Sequence, residues 1–85
     1  MSYAVVWAPT AERQLAAVWT AAADRGAVTA AAAWLDTRLA SNPLRFGTPI
    51  DSSVHRRGSF DGLGVEFEVI EDDKRVIVHG VFAAG

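Results

Sequence analysis

Alternating apolar and polar residues mark the last third of the sequence. The segment 64–70 alternates in this way, residues 71–74 interrupt the pattern, and residues 75–82 resume it. Alternation with a period of two predicts strands with one buried face, and the acidic interruption predicts the turn between them. The segment 64–82 is therefore predicted to be a β-hairpin.

The predicted turn also sets a register for this hairpin. With the turn centred on Asp72 and Asp73, opposed side chains are close enough to interact on each face of the sheet. Three pairs are expected to face the core: Val69–Val76, Phe67–Val78 and Val65–Gly80. Two pairs are expected on the other face: Glu68–Ile77 and Glu66–His79. A one-residue bulge would change this pairing.

Apolar stripes with a period of 3.6 residues predict two helices earlier in the chain. The first stripe follows Pro9, which suits the first turn of a helix, and Gly26 is the predicted cap at its end. Its members are Ala11, Leu15, Val18, Trp19 and Ala22. The second helix is predicted to begin at Thr29 as N-cap and to end at Asn42–Pro43. Two helices joined by so few residues form an antiparallel α-hairpin.

The remaining segments complete an α+β architecture. Residues 3–7 are apolar and predict a first strand that is buried on nearly both faces. Residues 54–60 predict a weak, polar edge strand, and Asp61–Gly62 is a hairpin turn signal. The order is β-α-α-β-β-β, a two-layer sandwich in which an antiparallel sheet carries the α-hairpin on one face. Residues 1–85 form one domain, and Trp7 and Trp19 are expected in its core.

Composition and charge exclude several classes of function. The net charge is −2, which argues against nucleic acid as the main partner because phosphate binding requires clustered cations. The chain has no cysteine, and its two histidines are not closely spaced, so no metal site and no cofactor are predicted. No segment reads as a signal peptide or a membrane span, which predicts a cytoplasmic protein without a membrane partner.

The order of these signals resembles that of the RelE/ParE toxin superfamily of bacterial type II toxin–antitoxin modules. The resemblance covers essentially the whole chain and is nearer to the ParE-like, plasmid-stabilisation side. It rests on a set of elements in sequence: a short first strand, an Ala/Leu-rich α-hairpin, the exit Asn42-Pro43-x-x-x-Gly47, the basic strand His55-Arg56-Arg57, the strand Leu63-Gly-Val-Glu-Phe-Glu-Val69, an acidic turn, and the strand Arg75-Val-Ile-Val-His-Gly-Val81.

The resemblance implies a partner and two alternative activities. Members are neutralised by a cognate antitoxin; RelE-like members cut mRNA in the ribosome, and ParE-like members poison DNA gyrase. RelE-like nucleases would place an arginine near Gly64 or Val65, which is missing here. They also place an arginine and a tyrosine or histidine after the last strand, where this sequence has Ala83, Ala84 and Gly85. Catalysis of the RelE type is therefore not expected.

Several side chains are candidates for a functional surface. Arg56 and Arg57 are expected to point to opposite faces of one strand, one over the open sheet face and the other towards helix carboxylates such as Asp36. Contact with a target or antitoxin is one interpretation of this pair, and a structural ion pair or a solvated charge is the other. Arg56, Arg57 and His79 are the weak catalytic candidates. His79 is otherwise interpreted as a partly buried, hydrogen-bonded structural residue, and the alternative is a functional role with Glu66 or Arg57. The candidates for partner binding are Arg56, Arg57, Glu66, Glu68, Trp34 and Arg75. Trp34 lies beside the stripe of its helix, where a half-exposed ring could anchor a partner.

Three functions remain open from the sequence. The preferred one is a ParE-like toxin that binds a protein target, which the family implies is DNA gyrase, and that an antitoxin neutralises. The second is a RelE-like ribosome-dependent endoribonuclease that uses Arg45, Arg56, Arg57 and Arg75. The third is a non-toxic interaction module, which includes self-association as a homodimer.

Overall fold

The computed structural model describes residues 2–84, and the predicted α+β two-layer fold is confirmed. Its elements in chain order are β1 Ala4–Trp7, α1 Pro9–Ala21, α2 Arg25–Ala40, a short 3₁₀ turn Pro43–Arg45, β2 Thr48–Pro49, β3 His55–Phe60, β4 Leu63–Ile70 and β5 Arg75–Ala83. The strands form one sheet in the order β1-β5-β4-β3-β2, and the α-hairpin packs on one face. Gly85 lies outside the described residues.

The sheet is mixed, where the sequence predicted it to be antiparallel throughout. Strand β1 pairs in parallel with β5, from Ala4 opposite Arg75 to Trp7 opposite Val78. The chain leaves β1, crosses the sheet as an α-hairpin and re-enters from the far edge, which brings β5 beside β1 in the same direction. Because β1 is an edge strand with one face uncovered, Ala4 and Val6 are exposed, and the prediction of burial on both faces is wrong.

Helix α1 begins at Pro9 as predicted, but the junction between the helices lies earlier than expected. Helix α2 begins at Arg25 and is capped by Asp24, whose carboxylate accepts a 3.0 Å hydrogen bond from the Ala27 amide. A carboxylate satisfies the unpaired amides of a helix start better than a hydroxyl one turn later. Gly26 and Thr29 therefore lie inside α2, and neither is the cap that the sequence predicted.

The core lies between the α-hairpin and the sheet. Its members are Ala11, Ala31, Leu35, Leu39, Leu63, Val65, Phe67, Val69, Val76, Val78 and Val81. Phe67 is fully buried near the middle of β4. Trp7 is partly buried, whereas Trp19 is 40% exposed, so its assignment to the core is wrong. The Trp19 indole N–H instead donates a hydrogen bond to the Thr29 hydroxyl at 3.2 Å. Its ring also makes a cation–π contact with the Arg25 guanidinium.

A bulge in β5 changes the hairpin register towards its open end. The pairs Val69–Val76, Glu68–Ile77 and Phe67–Val78 form as predicted. Beyond them the register shifts by one residue, so that Glu66 lies opposite Gly80 and Val65 opposite Val81. The predicted pairs Val65–Gly80 and Glu66–His79 are therefore wrong. The extra residue, His79, has no directly opposed partner, and this allows both Val78 and Val81 to reach the core.

A tightly fixed loop connects β2 to the helices and to β3. Gly47 has a φ of +68°, and a Cβ atom added there would collide with the backbone carbonyl of Arg57. Only glycine fits this close approach of two backbones.

Among residues 2–84, no helix combines the length and the apolar character needed to cross a bilayer.

Candidate functional site

The sheet face that points away from the helices carries most of the candidate side chains. We call it the open face. Strand alternation places Arg57 and His55 of β3, and Glu66 and Glu68 of β4, on this face, because their neighbours Phe67 and Val65 are buried in the core. Arg57 lies opposite Glu66, and His55 lies opposite Glu68. Candidates that are far apart in sequence are thus brought into two adjacent rows.

His55 is held between two carboxylates from different parts of the chain. Its Nδ1 lies 2.9 Å from Asp51 Oδ1 in the loop before β3, and its Nε2 lies 2.7 Å from Glu66 Oε2 on β4. The hydrogen bond to Glu66, followed by that to Asp51, raises the pKa of His55 above its ordinary value of 6.5. A neutral imidazole carries one N–H, so two donated bonds require the imidazolium form.

The bulge directs His79 towards the same face. Its Nε2 lies 3.1 Å from Glu68 Oε1, and both side chains are about 45% exposed. His79 is therefore hydrogen-bonded as predicted, but it is exposed and not partly buried, and its partner is Glu68 and not Glu66. Together with His55, it surrounds an open pocket of about 450 Å³ lined by Asp51, Ser52, Val54, His55, Glu66, Glu68 and His79.

Arg56 does not belong to the open face. Its side chain points to the opposite side of β3, is only 8% exposed and donates to three backbone carbonyls. The acceptors are Phe46 O at 2.9 Å, Ser53 O at 3.0 Å and Gly47 O at 3.1 Å. Burial with these bonds contradicts its prediction as a catalytic or partner-binding residue, because the guanidinium is already used to fix the loop.

Arg57 is the neighbouring arginine that remains exposed. Its guanidinium carbon lies 4.6 Å from the centre of the Phe82 ring, a cation–π distance. The Phe82 ring lies over Gly64, where a side chain would occupy the same space. The absence of a side chain at Gly64 thus creates the place for the aromatic ring that supports Arg57. The sequence predicted opposite faces for Arg56 and Arg57, and it could not decide which one was exposed.

The other candidates lie away from this pocket. Arg75 is exposed at the far end of the open face, next to Ile70 and Ala4 in the register. Trp34 lies on the helical side, 39% exposed, with its ring stacked on Phe60 at 3.9 Å. The structure therefore separates the predicted partner-binding residues into an open-face group, the buried Arg56, and Trp34 on the helical side.

The chemistry of the open-face group is acidic. Three carboxylates line the pocket, Asp51, Glu66 and Glu68, against the cation of His55 and the nearby Arg57. Asp51 was not among the predicted site residues, because it lies in a loop whose position depends on Gly47 and Arg56.

In residues 2–84 no group of three or more metal-ligating side chains is arranged to hold an ion. Each ring nitrogen of His55 faces a different carboxylate, so these donors do not converge.

Comparison with known proteins identifies the fold. No family model matches the chain, and no curated protein matches it in sequence. A chain in the crystal structure of the toxin–antitoxin complex RelBE2 from Mycobacterium tuberculosis superposes on 98% of this chain and on 92% of its own length. The TM-score is 0.80 at 18% sequence identity. The chain therefore shares the fold of that chain of the RelBE2 complex.

Proposed function

We propose that this chain is the toxin of a type II toxin–antitoxin module, that it acts by binding a protein target, and that a cognate antitoxin neutralises it in the cytoplasm. The observation that carries the proposal is the chemistry of the open face on this fold. That face presents the carboxylates of Glu66, Glu68 and Asp51, and the strand register places the arginines Arg57 and Arg75 on it. The fold supports the toxin class, because the similar RelBE2 chain is part of a toxin–antitoxin complex.

The charge of the open face favours a protein target over an RNA backbone. A phosphate chain is bound by several cations together, and each nearby carboxylate repels it. Of the four arginines that the nuclease alternative requires, Arg56 is occupied by three backbone carbonyls. A protein target can instead pair its own cations with Glu66 and Glu68 and its carboxylates with Arg57 and Arg75. The family resemblance suggests DNA gyrase as that target.

The aromatic cluster supports a second contact for the antitoxin. Trp34 and Phe60 stack in parallel, and each is more than a third exposed. Exposed tryptophan rings are frequent anchors of protein interfaces. We assign the antitoxin to this side and the target to the open face; a homodimer formed through the aromatic cluster is the alternative occupant.

A specific observation favours the ribonuclease as second candidate. The pairs His55–Glu66 and His79–Glu68 lie beside Arg57 and combine proton donors, acceptors and a cation in one pocket. Such groups are what general acid–base cleavage of RNA requires. Against it stands His55, whose two nitrogens are both held by carboxylates, so that it cannot accept a proton in this state.

Two assays with purified protein separate these activities. We expect the protein to inhibit DNA supercoiling by gyrase and to leave mRNA intact on translating ribosomes. Arg57→Glu should weaken the inhibition at least about tenfold, which corresponds to about 1.4 kcal/mol, because it reverses a charge on the docking face. Asp73→Lys, a charge reversal in the exposed β4–β5 turn, is the matched control and should inhibit like the parent.

The opposite pattern would reject the binding mechanism. Ribosome-dependent cleavage of mRNA that His55→Gln abolishes, together with unaffected gyrase, would establish the nuclease. Activity in neither assay, with circular dichroism showing a folded protein, would rule out both gyrase and mRNA as targets.

A further inference from the structure

The His55 ring connects the side chains of two different segments of the chain. Asp51 belongs to the loop between β2 and β3, whereas Glu66 belongs to the middle of the sheet. The two hydrogen bonds, 2.9 Å and 2.7 Å, leave opposite sides of the same ring. They can exist together only when both ring nitrogens carry a proton. The side-chain link from Asp51 through His55 to Glu66 therefore depends on a single proton, whereas backbone hydrogen bonds, such as that from the Ile50 amide to the His55 carbonyl at 2.8 Å, hold the loop to β3 without it.

Several charged groups surround this ring. Asp51 faces it from the loop, Glu66 and Glu68 face it from β4, and His79 lines the same pocket from β5. The Ser52 hydroxyl accepts a 3.2 Å hydrogen bond from the His55 amide and keeps the loop close. These carboxylates line the pocket around the ring and favour the imidazolium. Their contacts raise the pKa of His55, and its partial burial opposes this.

We propose that His55 is a proton-operated clip that ties the loop carrying Asp51 to strand β4 when protonated and releases Asp51 when neutral. Asp51 is the partner that leaves, because its side chain is 72% exposed on a loop, while Glu66 is 36% exposed in a paired strand and makes the shorter bond. The one proton that remains on the neutral ring is donated to Glu66. The bare Nδ1 lone pair then faces a carboxylate and repels it.

The clip changes both the shape and the charge of the pocket. Deprotonation removes one positive charge from among three carboxylates and frees one wall of the 450 Å³ space. Partners that dock on the open face would then meet a wider and more negative surface. This inference does not depend on the identity of the target, because it concerns only contacts within the chain.

The direction of the pH dependence follows from the raised pKa. The stabilisation by the clip is fully present below 6.5, the ordinary value for histidine, and it is lost as the pH rises through the higher value of the folded protein. The switch therefore operates from near-neutral pH upwards, in the direction of release with increasing pH.

Titration by nuclear magnetic resonance tests the clip on the full chain. We expect the His55 ring signals to titrate with a midpoint above 6.5, and the Ser52 and Ser53 amide signals to follow the same midpoint. Asp51→Asn and Glu66→Gln should each lower the His55 midpoint. Asp73→Asn, a remote exposed carboxylate, is the control and should leave it unchanged.

Two further variants decide whether the position of the loop depends on the protonation of the His55 ring. His55→Gln and Asp51→Asn should each abolish the pH-dependent movement of the Ser52 and Ser53 amides while the rest of the spectrum stays folded. A wild-type His55 midpoint at or below 6.5 would overturn the clip. Loop amides that titrate independently of His55, or that still titrate in His55→Gln, would overturn it as well.

Discussion

Replacing Arg56 with methionine is expected to lower the free energy of unfolding by about 3 kcal/mol. The guanidinium is 8% exposed and donates to the carbonyls of Phe46, Gly47 and Ser53. Methionine keeps much of the volume but leaves three acceptors without their donor, at a cost of about 1 kcal/mol each. Urea denaturation followed by circular dichroism measures the loss.

The adjacent arginine provides the matched control. Arg57→Met removes the same charge one residue away, where the side chain is exposed and contacts the Phe82 ring. We expect a loss of about 0.5 kcal/mol, the typical value of an exposed cation–π contact. Equal losses in the two variants, or a larger loss at Arg57, would contradict the structural role of Arg56.

Truncation of Phe67 to alanine is expected to cost about 3 to 5 kcal/mol. The side chain is fully buried at the centre of β4, and its ring lies 6.1 Å from that of Phe46. Domains of this size have a total stability of about 4 to 13 kcal/mol, so the variant loses a large share of it. A loss of 3 kcal/mol corresponds to a decrease in Tm of roughly 12 to 24 °C, which calorimetry would detect.

Phe60 is the corresponding control for an exposed aromatic residue. It is 37% exposed and stacks on Trp34, so that Phe60→Ala removes contact area without opening a closed cavity. We expect a loss of about 1 kcal/mol, within the range of an aromatic pair. A Phe60 variant less stable than the Phe67 variant would place the centre of the core elsewhere.

The β4–β5 hairpin shows how far the sequence predicts this fold. Alternation and the acidic turn gave the correct pairing from Val69–Val76 to Phe67–Val78, because each apolar residue there has one clear face. The bulge at His79 could not be predicted, since Gly80 carries no side chain that would mark the change of face. The parallel pairing of β1 was also out of reach, because it depends on how the whole α-hairpin crosses the sheet.

The candidate site likewise has a part that strand periodicity predicts and a part that it does not. Strand periodicity correctly placed Arg56 and Arg57 on opposite faces and Glu66 and Glu68 on the open one. Most hydrogen-bond partners of the side chains on β3 come from an irregular segment, in which apolar and polar residues follow no regular pattern. The three carbonyls that hold Arg56 and the Asp51 carboxylate that holds His55 all belong to residues 46–53, whose path depends on close backbone contacts such as that at Gly47.

Growth of a bacterium without the antitoxin, after induced expression of this chain, tests the proposed toxin function most directly. We expect growth to stop when the parent protein is induced and to continue when Arg57→Glu is induced to the same soluble level. Asp73→Lys should arrest growth like the parent, because its charge reversal lies in the turn. Unaltered growth with the folded parent protein present in the soluble fraction would contradict the toxin function.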